Sequence, residues 1–216
     1  MAMMAEVVAP TRCAACDEQV APRVLFCAGC GISVLRAEAR REGELAVFEY
    51  GGAVATAIIA MKYAGRFDLA ARFGQVMARE PTLAAASIDV VVPVPLHPRR
   101  LAERGFDQAA LLSLPVARGM GVTHGVRVLG RRRETPRQAS LDRAGRAANV
   151  EGAFVCRAPR VVVGRRVCLV DDVRTTGATL ASCAEVLHAA GAARVVTLVL
   201  ASRDRPETPC RAPDDG

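Results

Sequence analysis

The fold is decided by one stretch of sequence, RRVCLVDDVRTTGATL, which covers Arg165–Leu180. Its apolar run, Val167–Val170, has the length and composition of a buried strand. Two carboxylates, Asp171 and Asp172, follow directly, and a turn rich in threonine and glycine then opens a helix at about Gly177. Backbone N–H groups at such a turn and at the start of a helix attract anions. The stretch therefore predicts a strand that leads into an anion site beside two acidic residues.

The two acids narrow the class of anion. Carboxylates accept hydrogen bonds from vicinal hydroxyl groups, so a phosphate site beside them suits a sugar phosphate. A nucleoside triphosphate loop would carry a lysine before its Ser/Thr, and the stretch has none. Its glycine pattern also differs from that of a dinucleotide-binding fold.

The rest of the chain alternates between strand and helix patterns. Short apolar, β-branched runs predict strands at VFEYGG, IDVVVPVPL, GVRVL, AFVC, VCLV and RVVTLVLA. Apolar residues at three- and four-residue spacing predict helices at AVATAIIAMKYAG, FDLAARFGQVMARE, GFDQAALLSLPVARGMG and TGATLASCAEVLHAAGA. This alternation predicts an α/β fold with a parallel, doubly wound sheet flanked by helices. In such sheets, ligands bind beyond the carboxyl ends of the strands.

Composition and charge restrict the function only loosely. Hydrophobic residues make up 51% of the 216 residues and aromatic residues 4%, with no tryptophan, so we expect no aromatic platform for stacking bases. The formal net charge is +7, and all basic residues except Lys62 are arginines. Because arginine binds phosphates and carboxylates with two parallel hydrogen bonds, this balance fits an anionic small molecule as well as nucleic acid.

The sequence predicts a cytoplasmic protein without membrane insertion. The N-terminal residues MAMMAEVVAP lack the basic segment and the long apolar run of a signal peptide. No uncharged apolar run in the chain is long enough to span a bilayer.

Four cysteines form a metal-binding pattern near the N-terminus. Cys13, Cys16, Cys27 and Cys30 read as C-x2-C, ten residues, and C-x2-C. In a reducing compartment, this spacing favours a closed site of four thiolates, which suits structural Zn²⁺; a redox pair or an iron–sulfur cluster is the alternative. A segment as short as residues 11–35 cannot bury enough surface to fold alone, so we expect the metal to hold it together.

The segment VCLVDDVRTTGAT resembles the phosphoribosyl pyrophosphate (PRPP) motif of type I phosphoribosyltransferases. The resemblance implies that Asp171 and Asp172 hold the ribose hydroxyls and stabilise positive charge on the ribose, as the catalytic residues. It also implies that the 5′-phosphate is bound by the residues of the turn, namely Arg174, Thr175, Thr176, Gly177, Ala178 and Thr179. For Arg174, whose position in the motif is variable, a solvent-facing side chain is the alternative.

A second segment, VVPVPLHPRRLAERGFDQAALL, resembles the ComF family of competence-associated proteins and, more loosely, the amidophosphoribosyltransferases. The resemblance implies that the loop after this strand lies against pyrophosphate, with Mg²⁺ between the diphosphate oxygens. The candidate pyrophosphate partners are His97, Arg99, Arg100 and Arg104. For each arginine the alternative is a solvated side chain, and for His97 a loop histidine without a catalytic role.

A third segment, RRRETPRQASLDRAGRAANVEGAFVC, also resembles the ComF pattern. It lies where type I enzymes carry a flexible hood, whose closure would exclude water from PRPP. The hood residues expected to contact the anion are Arg137, Arg143 and Arg146. The alternative is a basic loop that meets nucleic acid.

The resemblance sets the expected domain organisation. We expect a zinc ribbon over residues 11–35, a polar helical link over 36–46, a phosphoribosyltransferase-like domain of the type I fold over 47–205, and a disordered tail over 206–216. A zinc ribbon ahead of such a domain is itself typical of the ComF family.

Lys62, the only lysine, lies in IIAMKYAGRFD, and the family pattern also places a Lys-Tyr pair near here. Two interpretations remain open. Lys62 contacts an anion or substrate near the entrance of the site, or it lies at a helix end and interacts with the helix dipole.

Three functional hypotheses follow. The first is an enzyme that binds PRPP with Mg²⁺ and transfers the phosphoribosyl group to an unknown acceptor, releasing pyrophosphate. The second is a non-catalytic protein that senses PRPP or handles single-stranded DNA during DNA uptake, with Arg131–Arg133 as DNA contacts. The third is a scaffold whose fold has outlived its chemistry.

Overall fold

The computed structural model describes residues 10–38, 42–132 and 152–203. Its main layer is a five-stranded sheet in which every neighbouring pair is parallel, in the order β1-β7-β6-β2-β3. A separate antiparallel pair is formed by β4 and β5. The strands are β1 Glu44–Glu49, β2 Val90–Pro93, β3 Thr123–His124, β4 Leu129–Arg131, β5 Phe154–Cys156, β6 Arg166–Arg174 and β7 Arg194–Ser202.

Helices cover both faces of the main sheet. They are α1 Ala28–Gly31, α2 Gly52–Tyr63, α3 Asp68–Met77, α4 Pro81–Ala85, α5 Pro98–Arg104, α6 Gln108–Met120 and α7 Ala178–Ala189, with a 3-10 turn at Pro159–Val161. The first core cluster packs α2, α3 and α6 on one face, and the second packs α7 and the β4–β5 pair on the other. The doubly wound α/β architecture predicted from the sequence is confirmed. None of the helices in the described ranges is both long and apolar enough to cross a membrane.

Strand β6 is buried in the middle of this architecture. It pairs with β7 on one side and with β2 on the other. Its residues alternate between the two cores, with Val167 and Leu169 in the second cluster and Cys168 and Val170 in the first. Because all four side chains are removed from water, each contributes roughly 1.5–3 kcal/mol to folding. This burial fixes the position of whatever follows Val170.

The predicted helical link is wrong for the residues that the structure describes. Arg36 forms an antiparallel bridge with Phe48, and the Ala37 N–H donates to the Val47 carbonyl at 3.2 Å. Strand β1 begins at Glu44, inside the predicted link. The cause is that β1 is an edge strand, whose unpaired backbone groups require partners. The predicted domain boundaries stay predictions, and the predicted tail over 206–216 lies outside the described residues.

The predicted strand at GVRVL is also wrong for residues 125–128, since only Leu129 lies in a strand, at the start of β4. Residues 125–128 form a turn, closed by a hydrogen bond from the Val128 N–H to the Gly125 carbonyl at 3.1 Å. The Gly125 N–H donates to the Val91 carbonyl at 2.8 Å, which keeps the chain beside β2 for one more residue after β3. The β-branched composition of the segment therefore reflects burial of Val128 against the second core rather than strand pairing.

Candidate ligand cleft and metal centre

A cleft of about 810 Å³ lies beyond the carboxyl ends of the strands of the main sheet. Its walls come from the end of β6 and the turn after it, from the loop after β2, and from the ends of α2 and α5. This is the position expected for a ligand site in a parallel sheet. The turn residues predicted from the sequence and several residues that were not predicted meet in this cleft.

Asp171 and Asp172 both line the cleft. Strand β6 continues to Arg174, so the acids lie within the strand. The sequence had predicted them after the end of the strand, which is wrong. Successive side chains of a strand point to opposite faces. The Asp172 side chain is 7% exposed and pairs with Lys62, whereas Asp171 is half-buried and accepts a hydrogen bond from the Asp172 N–H at 2.8 Å.

The surroundings of this pair make the carboxyl of Asp171 difficult to ionise. Burial and the negative charge of Asp172 raise the pKa of the Asp171 carboxyl to about 8, against the opposing effects of the Asp172 N–H and of Lys62. Two carboxylates in one site resist being ionised together. A ligand that donates hydrogen bonds or brings positive charge to the pair would relieve this cost.

Lys62 is part of the cleft. It lies in the last turn of α2, and its Nζ is 2.8 Å from Oδ2 of Asp172, with 19% of the side chain exposed. Burial alone would lower the pKa of Lys62, but the charge of Asp172 outweighs burial and raises it, so the ammonium stays charged. Lys62 therefore neutralises part of the acidic pair, which the helix-dipole interpretation does not describe.

The turn after β6 has the geometry of an anion site. Residues Thr175–Thr179 line the cleft, and α7 begins within them at Ala178. Gly177 adopts φ +78°, a left-handed conformation that favours glycine. The first turn of a helix has N–H groups without intrahelical acceptors, and these point along the helix axis toward the cleft. The Ala178 N–H also donates to the Thr176 hydroxyl at 3.5 Å.

Arg174 is placed differently from the other predicted phosphate contacts. It borders the cleft, but its side chain is only 6% exposed and Nη1 donates to Oε2 of Glu44 at 3.2 Å. The ion pair thus connects the end of β6 to the start of β1. Direct contact between Arg174 and a phosphate stays a prediction.

The loop after β2 is short, because β2 ends at Pro93 and α5 begins at Pro98. His97 caps this helix, and its Nδ1 accepts a hydrogen bond from the Arg99 N–H at 3.3 Å. Arg99 pairs with Glu103 at 3.2 Å on the exposed side of α5. Neither His97 nor Arg99 borders the cleft.

Arg100 and Arg104 do border the cleft. Arg104 donates to the Tyr63 hydroxyl at 3.3 Å, and its guanidinium lies 5.1 Å from the centre of the Tyr63 ring. Arg104 also donates to the side-chain carbonyl of Gln108. Of the four residues predicted for the pyrophosphate loop, the structure thus brings two to the cleft.

Asp107 holds this loop in place and was not predicted. Its Oδ2 accepts a hydrogen bond from the Leu96 N–H at 3.1 Å, and its Oδ1 accepts one from the Ala110 N–H at 3.1 Å. Burial raises the pKa of Asp107. An acidic residue just before a helical pattern is a typical N-cap, so the sequence contained a signal for its role at α6 but none for its contact with the loop.

Arg131 is a second residue that sequence reasoning misplaced. The DNA hypothesis treats it as an exposed contact, whereas the structure buries it at the edge of the cleft, with its guanidinium 5.3 Å from the centre of the Phe154 ring. The predicted hood residues Arg137, Arg143 and Arg146 lie outside the described residues.

Aromatic side chains gather at the cleft although the chain has few. Of two tyrosines and six phenylalanines, four border it, namely Tyr50, Tyr63, Phe67 and Phe106. Phe67 and Phe106 meet edge to face at 4.6 Å, while Tyr63 is 70% and Phe67 52% exposed. Large exposed apolar side chains at the mouth of a cleft are typical of a binding surface. The low aromatic content of the chain therefore does not exclude an aromatic surface at the cleft.

Known proteins resemble this chain in both sequence and fold. The family model described as the phosphoribosyl transferase domain matches residues 107–215. The DNA utilization protein YhgH of Salmonella typhi is 31% identical over 198 residues, which cover 85% of this chain and 86% of that protein. The chain belongs to the ComF family of phosphoribosyltransferase-like proteins.

Other members of the ComF family are similar over shorter spans. Competence protein F of Haemophilus influenzae is 35% identical over 104 residues, 48% of this chain and 45% of that protein. Competence protein ComFC of Streptococcus pneumoniae is 30% identical over 155 residues, 72% of this chain and 66% of that protein.

The solved structures include type I enzymes. The allosteric regulatory enzyme of purine biosynthesis superposes with a TM-score of 0.43 at 25% identity, over 60% of this chain and 25% of that chain. Adenine phosphoribosyltransferase of Thermoanaerobacter pseudethanolicus superposes with a TM-score of 0.39 at 16% identity, over 66% of this chain and 83% of that chain. The family match and the sheet described above confirm the predicted type I phosphoribosyltransferase fold.

The four cysteines of this ComF-family chain form one cluster. The sulfur atoms of Cys13, Cys16, Cys27 and Cys30 all lie within 4.8 Å of one another, and the Cys16 and Cys27 sulfurs are 3.6 Å apart. Four thiolates around one tetrahedral metal with bonds of about 2.3 Å would lie roughly 3.8 Å apart. The cluster therefore fits a closed metal site without an open position, as expected for a structural role in a zinc ribbon.

Proposed function

We propose that this ComF-family chain binds PRPP with Mg²⁺ and transfers the phosphoribosyl group to a nitrogen nucleophile, releasing pyrophosphate. One observation carries the proposal: the carboxylates of Asp171 and Asp172 share a single cleft with the Thr175–Thr179 turn. Ribose hydroxyls donate hydrogen bonds to carboxylates, and a terminal phosphate suits the N–H groups at the start of α7.

The distribution of charge around the cleft supports a ligand with two anionic ends. Besides the turn that begins α7, the lining of the cleft includes Lys62, Arg100 and Arg104, which provide positive charge. PRPP carries its 5′-phosphate at one end and its diphosphate at the other, with the ribose between them. The volume of about 810 Å³ lies in the upper part of the usual range for small-molecule sites, about 300–1,000 Å³, so it leaves room for an acceptor beside PRPP.

In the proposed reaction, the bond between ribose C1 and the diphosphate oxygen breaks, and the oxygen keeps the electron pair. The acceptor nitrogen forms a bond to C1 and loses a proton to the departing diphosphate or to water. Positive charge develops on the ribose during this displacement, and the carboxylates of Asp171 and Asp172 would stabilise it. When bound, Mg²⁺ would neutralise charge on the leaving diphosphate while keeping most of its waters, so the protein needs no cage of ligands for it.

The acceptor would bind at the aromatic mouth. Tyr63, Phe67 and Phe106 offer flat apolar surfaces near the cationic side of the cleft. Such surfaces suit a planar nitrogen heterocycle. The predicted hood, with Arg137, Arg143 and Arg146, would close over PRPP and exclude water.

We also propose that the metal of the cysteine cluster is Zn²⁺. Soft thiolates and a tetrahedral arrangement select Zn²⁺ or an iron–sulfur centre, and the C-x2-C pairs fit the usual zinc spacing. The ion would hold the N-terminal segment together and take no part in the reaction.

Thermal unfolding with a panel of anions tests the proposal. We expect PRPP with Mg²⁺ to raise the unfolding temperature by several degrees, and ribose 5-phosphate or pyrophosphate to raise it much less, because only PRPP engages both ends of the cleft. At 100 times Kd the stabilisation amounts to about 2.7 kcal/mol. Equal shifts from all three compounds would indicate generic anion binding, and no shift would favour a scaffold that has lost its chemistry.

A second candidate function is non-catalytic PRPP sensing or the handling of single-stranded DNA. It is favoured by the names of the relatives, which are DNA utilization and competence proteins. An unstructured oligodeoxynucleotide added to the same panel separates the two functions. Salt-dependent binding of the oligonucleotide that PRPP does not displace would support a DNA site outside the cleft.

Replacement of Lys62 gives a specific prediction for the cleft. We expect Lys62→Met to lower the affinity for PRPP with Mg²⁺ by at least about tenfold, because a cation beside the diphosphate is lost and Asp172 is left buried without its partner. Calorimetric titration measures the change. The matched control Lys62→Arg keeps the charge and should retain most of the affinity, whereas equal affinity in wild type and Lys62→Met would remove Lys62 from the binding site.

A further inference from the structure

The cysteine-bearing segment, residues 11–35, contacts the start of helix α2 and the segment that follows its end. We call this segment the cysteine knuckle. It contains two C-x2-C turns, one ending at Cys16 and the other at Cys30, which are joined by the sulfur cluster and by a hydrogen bond from the Ala14 N–H to the Leu25 carbonyl at 2.8 Å. Asp17 follows the first turn and reaches Arg66, beyond the end of α2. Ser33 follows the second turn and reaches the start of α2.

Ser33, three residues after Cys30, holds the start of α2. Its Oγ accepts a hydrogen bond from the Ala53 N–H at 3.0 Å and donates one to the Cys30 carbonyl at 2.9 Å. Gly52 has φ +45°, and a Cβ there would collide with the Ser33 side chain and backbone. Ser33 thus serves as the cap for α2 from outside the helix, and little space separates the two elements.

Asp17, directly after Cys16, holds the segment that follows α2. Its Oδ1 accepts a hydrogen bond from Nη1 of Arg66 at 2.5 Å. Arg66 in turn donates to both carboxylate oxygens of Asp68, at 2.9 and 3.0 Å. The neighbours of Arg66 in the chain, Gly65 and Phe67, both border the cleft.

The knuckle also packs against helix α3 and strand β1. Arg72 donates to the carbonyls of Arg12 and Val24, each at 2.7 Å. The Phe26 ring packs against Phe48 and Phe73, with ring centres 6.4 Å apart in both pairs. The knuckle has little core of its own, so its two turns depend on the metal to stay together.

The apolar face of α2 packs in the first core cluster, and the end of the helix reaches the cleft. Lys62, in the last turn of the helix, reaches Asp172, and Tyr63 contacts Arg104. A helix of twelve residues is about 18 Å long, so a small tilt at its start moves Lys62 relative to the acids.

We propose that the metal-loaded cysteine knuckle is a two-point brace for α2, with Ser33 and the Asp17–Arg66 pair as positioning residues for the ligand cleft. When the metal is bound, the two turns are joined, and the start of α2 and the segment after it are held where Lys62, Gly65 and Phe67 border the cleft. Metal binding at the knuckle and ligand binding in the cleft are therefore positively coupled. The coupling to ligand binding rests on the proposed PRPP binding, whereas the bracing of α2 by the knuckle does not.

The Asp17–Arg66 pair allows the brace to be weakened without removing a cysteine. We expect full-length, zinc-loaded Arg66→Gln and Asp17→Asn each to retain one equivalent of zinc, and amide hydrogen exchange over residues 58–68 to become several-fold faster. The affinity for PRPP with Mg²⁺ should fall about three- to tenfold. The double variant should show little more than the larger single effect, because both substitutions break the same link.

The matched control is Glu42→Gln, which removes an exposed ion pair with Arg194 at the opposite end of the sheet. It should leave exchange over residues 58–68 and PRPP affinity unchanged. If Arg66→Gln and Asp17→Asn retain zinc and behave like this control in both measurements, the brace is disproved.

Coupling between binding equilibria is reciprocal, so PRPP with Mg²⁺ should reduce several-fold the equilibrium transfer of zinc from the wild-type chain to a competing zinc-selective chromogenic chelator. This reduction should be smaller in Arg66→Gln. If PRPP binds to no form of the protein while exchange over residues 58–68 still responds to Arg66→Gln, the proposed function fails and the brace stands. If PRPP binds but does not affect zinc transfer, the coupling is disproved.

Discussion

Replacement of Asp171 and Asp172 together by asparagine is expected to lower the affinity for PRPP with Mg²⁺ by at least about 100-fold while the chain stays folded. Hydrogen bonds to charged groups contribute about 1.5–3 kcal/mol each, and the double variant weakens those to both ribose hydroxyls. Asparagine has nearly the same volume as aspartate, so the buried end of β6 keeps its packing. Isothermal titration calorimetry with Mg²⁺ in excess measures the loss.

Two variants sharpen this first prediction. Asp89→Asn removes a carboxylate that pairs with Arg166 at the opposite edge of the sheet, outside the cleft, and should leave the affinity unchanged. Asp171→Asn alone should weaken binding but should not lower the unfolding temperature at neutral pH, because it removes a carboxyl that the fold makes difficult to ionise. Wild-type affinity in the double variant would disprove the assignment of the acids.

The pH dependence follows from the same residue. The pKa of Asp171 is raised from an ordinary value of 3.8 to about 8, so between these two values the folded chain binds more protons at this site than the unfolded chain. The contribution of Asp171 to stability is therefore present at low pH and is lost as pH rises toward 8. Ribose hydroxyls donate to the ionised carboxylate, so PRPP affinity should increase over the same interval. In Asp171→Asn, both trends should be reduced.

Local sequence determined the parts of the site that were predicted correctly in position. The run Val167–Val170 is short and bounded by polar residues, which favours a buried strand, and Gly177 with its threonines favours a turn after it. The cysteine cluster was predictable for the same reason, since each C-x2-C turn is a local structure. These residues come together in the cleft and in the metal centre as expected.

The residues that were missed or misplaced depend on long-range contacts. Lys62 reaches Asp172 across 110 positions of sequence, and Arg131 is buried by packing on Phe154, so neither neighbourhood shows the role. His97 is different, because a local rule would have found it. Proline is favoured at the first position of a helix, so Pro98 is a local signal for a helix that begins directly after His97.

The second large effect is expected from loss of the metal centre. Cys27→Ser should lower the unfolding temperature by at least about 10 °C, because a structural metal contributes several kcal/mol and each kcal/mol changes the unfolding temperature of a domain of this size by about 2–4 °C. We expect much of this loss of stability to come from residues outside the knuckle. Phe26 covers Phe48 and Phe73, and these two core residues are exposed to water if the knuckle separates from α3.

Differential scanning calorimetry, with metal analysis of the same samples, measures this effect. The matched control is Cys156→Ser, which makes the same substitution at a half-buried cysteine outside the cluster and should cost much less. If Cys27→Ser loses zinc but unfolds at the wild-type temperature, the knuckle holds itself together by its packing on α3 alone. The brace on α2 would then not need the metal, because Ser33 and Asp17 would keep their positions without it. A large loss of stability in Cys27→Ser, together with faster exchange over residues 58–68, would instead connect the stability of the knuckle directly to the shape of the cleft.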